Sequence, residues 1–166
     1  LRKDGFSIGI PFSFVIYDRD DSLSLIKKII KDFGMDVKQI KASAILGMIS
    51  SAKSELIDPA TYEKFAQGYF QRSAGKIYYE YQKKLRQNNA LDFDDLLSST
   101  VELFRKEPQV LEKYQTMFQY ILVDEYQDTN KAQFELIKIL AEKRQNICVV
   151  GDEDQSIYSW RGADIH

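Results

Sequence analysis

Tyr120-Ile121-Leu122-Val123-Asp124-Glu125 and Ile147-Cys148-Val149-Val150-Gly151-Asp152 are the two stretches whose reading decides the fold. Each is a continuous apolar run that ends in acid. Between them, Lys131 to Lys143 is amphipathic, with Phe134, Leu136, Ile137 and Leu140 at helical spacing. Two such runs joined by one helix predict a parallel βαβ unit, buried on both faces. The 27 positions from Val123 to Val150 suit a unit of roughly 30 residues. Cys148, inside the second run, is expected to be a small core residue.

Upstream of this unit the pattern is helical. Phe12 to Tyr17 reads as a short extended segment, and Asp20, Asp21 and Ser22 offer caps for a helix that Gly34 would end. A second helix is predicted over about Gln39 to Leu56, with Ile40, Ala44, Ile45, Met48, Ile49 and Ala52 on one face. Asp58-Pro59 is a start signal for a third, long helix reaching Asn88. Its stripe of Tyr62, Phe65, Tyr69, Phe70, Ile77, Tyr78, Tyr81 and Leu85 predicts a core face. Further helices are expected from Asp92 and from Pro108. The fold class is therefore α/β, mostly helical, with the parallel sheet near the C-terminal end.

Composition narrows the chemistry. With 166 residues, 44% hydrophobic and 29% charged, the chain can build a core, so intrinsic disorder is excluded for its body. No stretch approaches the roughly 18–20 uncharged apolar residues of a membrane span. One Cys excludes a disulfide framework and a cysteine-ligated zinc cluster. One His, at position 166, speaks against histidine acid–base chemistry. The net charge of −2 hides an asymmetry: residues 1–90 hold 15 Lys and Arg against 10 Asp and Glu, and residues 91–166 hold 8 against 15. Two ordinary solvated surfaces or two different partners would both produce it. The cations Lys76, Lys83, Lys84 and Arg86 fit either solvated surface or phosphate contact.

Ligands of parallel sheets bind beyond the carboxyl ends of the strands, where both runs here carry acids. An apolar strand ending in Asp-Glu is the Walker B pattern. One carboxylate can hold Mg²⁺ as a hard oxygen ligand while its neighbour orients or deprotonates a water. A lone Asp-Glu pair more often simply ends a strand; two acid-tipped strands in sequence leave both readings open.

Longer strings carry more. Asp124-Glu125-Tyr126-Gln127-Asp128-Thr129-Asn130 and Gly151-Asp152-Glu153-Asp154-Gln155-Ser156-Ile157-Tyr158-Ser159-Trp160-Arg161-Gly162-Ala163-Asp164 closely resemble motifs II and III of superfamily 1 DNA helicases of the UvrD/PcrA/Rep type. Ala90-Leu91-Asp92-Phe93-Asp94-Asp95-Leu96-Leu97 resembles the segment by which that family's chain returns from a helical insertion to its motor domain. The resemblance implies an extended lead-in over residues 1–17, a helical insertion subdomain over 18–89, and a partial RecA-like motor domain over 90–166.

By position, the resemblance implies Asp124 as Mg²⁺ ligand and Glu125 as catalytic carboxylate. It implies that Gln155 contacts the γ-phosphate and couples nucleotide state to DNA, that Tyr158 and Trp160 touch or stack on single-stranded bases, and that Arg161 supports the strand or ties the motif together. Stacking suits a motor that must not read sequence, because every base has a π-face. On their own, Tyr158 and Trp160 would read as core or lid residues.

The same resemblance implies ATP and Mg²⁺ as cofactors, single-stranded DNA and single/double-strand junctions as partners, 3′ to 5′ translocation and a cytoplasmic setting. Such a motor needs the cradle Gly-x-x-x-x-Gly-Lys-[Ser/Thr]. The one Gly-Lys pair, Gly75-Lys76, is followed by Ile77, has Phe70 at the first Gly position and lies within a predicted helix. The family places its cradle upstream and its second RecA-like domain downstream of such a window. The chain is thus expected to be an internal piece, inactive as an ATPase alone, with an exposed sheet edge that promotes self-association. The alternatives are the helicase half of a helicase–nuclease and a non-catalytic DNA- or protein-binding module.

Overall fold

The computed structural model describes residues 1–36 and 38–152. They form two compact units, Ser13–Leu96 and a second built from Leu1–Phe12 and residues from Leu97 onward.

In the unit Ser13–Leu96, strand β1 (Val15–Tyr17) leads into helices α1 (Arg19–Asp32), α2 (Ala42–Ser54), α3 (Pro59–Phe65) and α4 (Gly68–Gln87). The chain then returns as β2 (Ala90–Asp92), parallel to β1, with Ile16 opposite Leu91. The core is isoleucine-rich: Ile26, Ile29 and Ile30 of α1, Ile45 and Ile49 of α2, and Ile77, Tyr81 and Leu85 of α4 are all buried.

Three local expectations change. The cap of α1 is Asp18, which accepts from the amides of Asp20 and Asp21 while Asp21 reaches back to the Asp18 amide. This reciprocal arrangement satisfies more orphan N–H groups than a cap at Asp20, Asp21 or Ser22 would. Strand β2 precedes helix α5 (Phe93–Lys106), where only a helix start was expected. The long third helix is two helices. α3 starts as read, with Asp58 capping Thr61 and Pro59 in the first turn. It stops at Ala66, where the backbone turns extended, and α4 restarts at Gly68 with φ of +70°. The break resets the helical phase. Phe65 and Tyr69 are therefore exposed and Phe70 partly so, whereas Tyr78 and Tyr81 are buried. Gly75 is buried against α3, where a Cβ would make ordinary contact with the Tyr62 ring at 3.4 Å.

This unit also holds a buried ionic cluster. Lys53 of α2 is 2% exposed, and its Nζ lies 2.6 Å from Asp92 Oδ2 and 2.8 Å from Asp95 Oδ1. The ammonium also sits 5.2 Å from the centroid of the Tyr81 ring. Asp92 and Asp95 cap one another at the start of α5 (Phe93–Lys106), each carboxylate accepting the other's amide. Tyr81 Oη is 3.0 Å from Asp92 Oδ2 and 2.9 Å from Ser22 Oγ. A carboxylate only accepts, so the phenolic hydrogen goes to Asp92 and the Ser22 hydroxyl donates to Tyr81. Gln82 Nε2 donates to Asp95 Oδ1.

One ammonium faces two carboxylates, and the two respond differently. Burial opposes the Asp92 anion, but the Lys53 charge and hydrogen bonds outweigh it and hold that carboxyl below its usual value. Burial, reinforced by the Asp92 charge and only partly offset by Lys53, pushes Asp95 up. Folded Asp95 keeps a proton that the unfolded chain releases, so its contribution to stability falls as pH rises from the ordinary 3.8 towards its raised value. Asp92 acts in the opposite sense: its contribution is complete above 3.8 and is lost as pH falls through its lowered value. Asp95→Asn removes the titrating group and leaves one acceptor oxygen where Lys53 and Gln82 meet Oδ1 and the Asp92 amide meets Oδ2. Urea denaturation from about pH 4 to about pH 7 should therefore show a flatter decline for Asp95→Asn than for the unaltered chain. Equal slopes would mean that Asp95 is ionised throughout.

In the second unit, α5 is followed by α6 (Pro108–Met117), β3 (Ile121–Val123), α7 (Lys131–Ala141) and β4 (Ile147–Val149). Strands β3 and β4 pair in parallel, Leu122 opposite Cys148, as the apolar runs predict. Residues 1–12 are tied to α6 through Asp4, which accepts from Lys113 Nζ and the Tyr114 hydroxyl, each at 2.8 Å. Those bonds, Lys113 foremost, hold the Asp4 carboxyl below its usual range. Gln115 of α6 donates to the Ile139 carbonyl of α7 at 2.8 Å, and Lys143 bonds Glu112 at 2.7 Å.

Burial on both faces of the pair does not follow. Leu122 is 81% exposed, Val149 and Val150 are exposed, and Cys148 is exposed rather than a core residue. Among the described residues the sheet has two strands only, too few to cover its own apolar runs.

Candidate nucleotide-hydrolysis site

The site is built by the parallel pairing of β3 and β4. Val150 N–H donates to the Val123 carbonyl at 2.8 Å, and Tyr126 N–H donates to the Val150 carbonyl at 3.0 Å. The ladder thus runs past both strand ends and holds Asp124-Glu125 beside Gly151-Asp152. Parallel strands bring both carboxyl ends to one edge, which antiparallel strands would not do.

Immediately after β3 the backbone turns sharply. Glu125 has φ of +51°, a left-handed conformation that is uncommon and costly for a residue with a Cβ. A short 3₁₀ turn, Tyr126–Asp128, follows, closed by Asp128 N–H to the Glu125 carbonyl at 2.9 Å. Asn130 then caps α7 reciprocally with Gln133. The string from Asp124 to Asn130 is therefore a strand end, a strained turn and a helix cap in sequence. Strain of this kind concentrates at functional sites.

The acids are accessible. Asp124, Glu125 and Asp152 are exposed, whereas Gln127 between them is 5% exposed. Asp124 Oδ1 accepts the Glu125 amide at 2.9 Å. Gln127 Nε2 donates to Glu125 Oε2 at 2.6 Å, and Gln127 Oε1 accepts the Asp152 amide at 2.9 Å. Among the described residues no group of three or more His, Cys, Asp or Glu could hold a metal unaided. The exposed carboxylates of Asp124 and Glu125 are hard oxygen donors and fit Mg²⁺, which is commonly held by one or two carboxylates together with substrate phosphates and water.

Of the residues singled out from sequence, the structure brings together Asp124, Glu125 and the start of the second motif, Gly151-Asp152. Gln155, Tyr158, Trp160 and Arg161 lie outside the described residues. Of the four cations considered for phosphate contact, Lys83 and Lys84 pair with Glu80 of their own helix, and Lys76 and Arg86 are exposed. Sequence reasoning missed Gln127 and Lys53. The signal for Lys53 was present: it falls four residues after Ile49 and eight after Ile45, on the apolar face of α2.

The UvrD/REP helicase N-terminal domain model matches residues 1–166. The chain is 56% identical over 165 residues to the ATP-dependent DNA helicase PcrA of Bacillus subtilis (strain 168), covering 99% of this chain and 22% of that protein. It is 52% identical to the protein of the same name from Staphylococcus aureus (strain Mu50 / ATCC 700699), over 99% of this chain and 23% of that one. The Staphylococcus epidermidis PcrA is 50% identical over the same shares. The chain spans under a quarter of the length of these curated relatives. Acid-tipped parallel strands, the strained Asp-Glu turn and the match over all 166 residues agree: the chain belongs to the UvrD/REP helicase N-terminal domain family.

Proposed function

We propose that this chain supplies motifs II and III of an ATP-dependent DNA helicase that moves 3′ to 5′ on single-stranded DNA and unwinds duplex ahead of it. The observation that supports this reading best is the parallel β3–β4 pairing, with Asp124 and Glu125 exposed at the carboxyl edge beside Asp152. The relatives' printed name, ATP-dependent DNA helicase, points the same way.

In this reading Asp124 binds Mg²⁺, which when bound neutralises phosphate charge and polarises the bond to be broken. Glu125 orients the attacking water and takes its proton. Gln155 contacts the γ-phosphate, Tyr158 and Trp160 stack on bases, and Arg161 braces the strand. Residues 18–89 form the helical insertion, and residues 90–166 belong to the RecA-like motor. The test is the ATPase of the full-length protein that carries this chain. Turnover should require Mg²⁺ and rise with single-stranded DNA, and a 3′-tailed duplex should be separated. A full-length protein with neither activity overturns the reading.

The 166-residue chain by itself is proposed to be inactive, because its one Gly-Lys pair, Gly75-Lys76, lies inside helix α4 and is followed by Ile77, so it forms no phosphate-holding loop. It is also proposed to self-associate through the sheet, where Tyr120, Leu122, Val149 and Val150 are exposed. Light scattering should show oligomers that Leu122→Glu disperses. A monodisperse unaltered chain at the same concentration counts against it.

A further inference from the structure

Glu125 does not stand free at the end of β3. We propose that Gln127 is a positioning residue, which clamps the Glu125 carboxylate to the end of β4 and so aligns it for attack on the terminal phosphate. The inference rests on the reading of Glu125 as the water-activating carboxylate.

Gln127 uses both ends of its amide, and on two different segments. Its nitrogen donates to Glu125 Oε2 at 2.6 Å, and its oxygen accepts the Asp152 N–H at 2.9 Å. The amide cannot be reversed: its oxygen would then face a carboxylate, and its NH₂ would face an N–H, two contacts without a hydrogen bond. The side chain is 5% exposed, so it is held in one place, whereas the Glu125 it grips is exposed. An exposed glutamate otherwise samples many rotamers, and ordering it costs conformational entropy. Gln127 meets that cost before substrate arrives.

Gly151 fits the same account. A Cβ at 151 would lie 2.7 Å from Gln127 Oε1 and 3.3 Å from the Gln127 amide nitrogen and Tyr126 Cβ. Position 151 therefore has room for the clamp only as glycine. The backbone of Glu125, at φ +51°, aims the side chain, and the Tyr126–Val150 bond fixes the turn against β4. Any displacement of the β4 end would pull on the Asp152–Gln127–Glu125 chain, which links the second motif to the catalytic carboxylate.

The test uses the full-length protein and its ATPase with saturating single-stranded DNA. Gln127→Glu keeps the shape and an acceptor for Asp152 but removes the donor to Glu125; Gln127→Leu removes both. Each should lower kcat about 10- to 100-fold, the usual effect of a slightly misplaced catalytic group. KM for ATP and DNA affinity should stay unchanged, because the group acts in the transition state only. Loss of folding alone would lower the active fraction without separating Gln127→Glu from a stability-matched variant elsewhere. Should Gln127→Leu fail to fold, Gly151→Ala, which displaces the amide without deleting it, should reproduce the kcat loss. Wild-type kcat in Gln127→Glu, with Glu125→Gln inactive, overturns this inference and leaves the role of Glu125 standing. Full turnover in Glu125→Gln removes that role and the inference together.

Discussion

Replacing Lys53 by Met is expected to destabilise the chain by about 3–5 kcal/mol, the usual cost of removing one partner from a buried ion pair. Met matches the lysine stem closely in volume, so the loss does not come from a cavity. It comes from Asp92 and Asp95, whose side chains are 7% and 3% exposed and lose their shared cation. Asp95, already held above its usual value by burial, takes up a proton and limits the damage. Asp92 has no such relief, because two amide and hydroxyl donors remain aimed at it as an anion. A domain stable by about 5–15 kcal/mol loses a large share of its margin in this way. Adding Asp92→Asn to Lys53→Met should recover part of the loss, since it removes the stranded charge. Chemical denaturation of the three proteins measures both effects. A Lys53→Met chain within about 0.5 kcal/mol of the parent, the range of ordinary surface changes, would refute the buried cluster.

The cluster also shows where sequence reading stops. Periodicity placed α1, α2, α5, α6 and α7 closely because apolar residues recur at helical spacing in each, and that spacing is a local property. The parallel β3–β4 unit was legible for the same reason: continuous apolar runs at the right separation leave few alternatives. The break between Phe65 and Gly68 was not legible, because aromatic residues continue across it and only Gly68, at φ +70°, marks the turn. Exposure of Cys148 and Leu122 was misread because a run can look like a buried strand whether or not anything covers it. Lys53 carries no local sign of what it pairs with. Its partners Asp92 and Asp95 stand about 40 residues away in sequence, and no local pattern pairs them. In the candidate site, residue type at a strand end left Asp124 and Glu125 open between a plain strand end and a metal site, and the longer motif strings singled them out. The role of Gln127 was not, because it depends on the Asp152 amide that only the β3–β4 register brings within reach.

Glu125→Gln in the full-length protein should lower DNA-stimulated kcat by about 10²–10⁴-fold, the range for loss of a general base. The substitution is nearly isosteric and the position is exposed, so stability should change by no more than about 0.5 kcal/mol. The glutamine side-chain oxygen can still accept the Gln127 N–H that Glu125 Oε2 accepts now. What disappears is the capacity to take a proton. The loss should therefore fall on kcat, with KM for ATP unchanged. Asp124→Asn should differ in kind. Asp124 is exposed, with Oδ1 on the Glu125 amide, and under its proposed role the substitution weakens a metal ligand, so more Mg²⁺ should restore part of its turnover. No Mg²⁺ concentration should restore Glu125→Gln. Titrating Mg²⁺ against kcat in both variants separates the roles. Equal rescue of both would place both carboxylates on the metal, and would leave the water to be activated by a group other than Glu125.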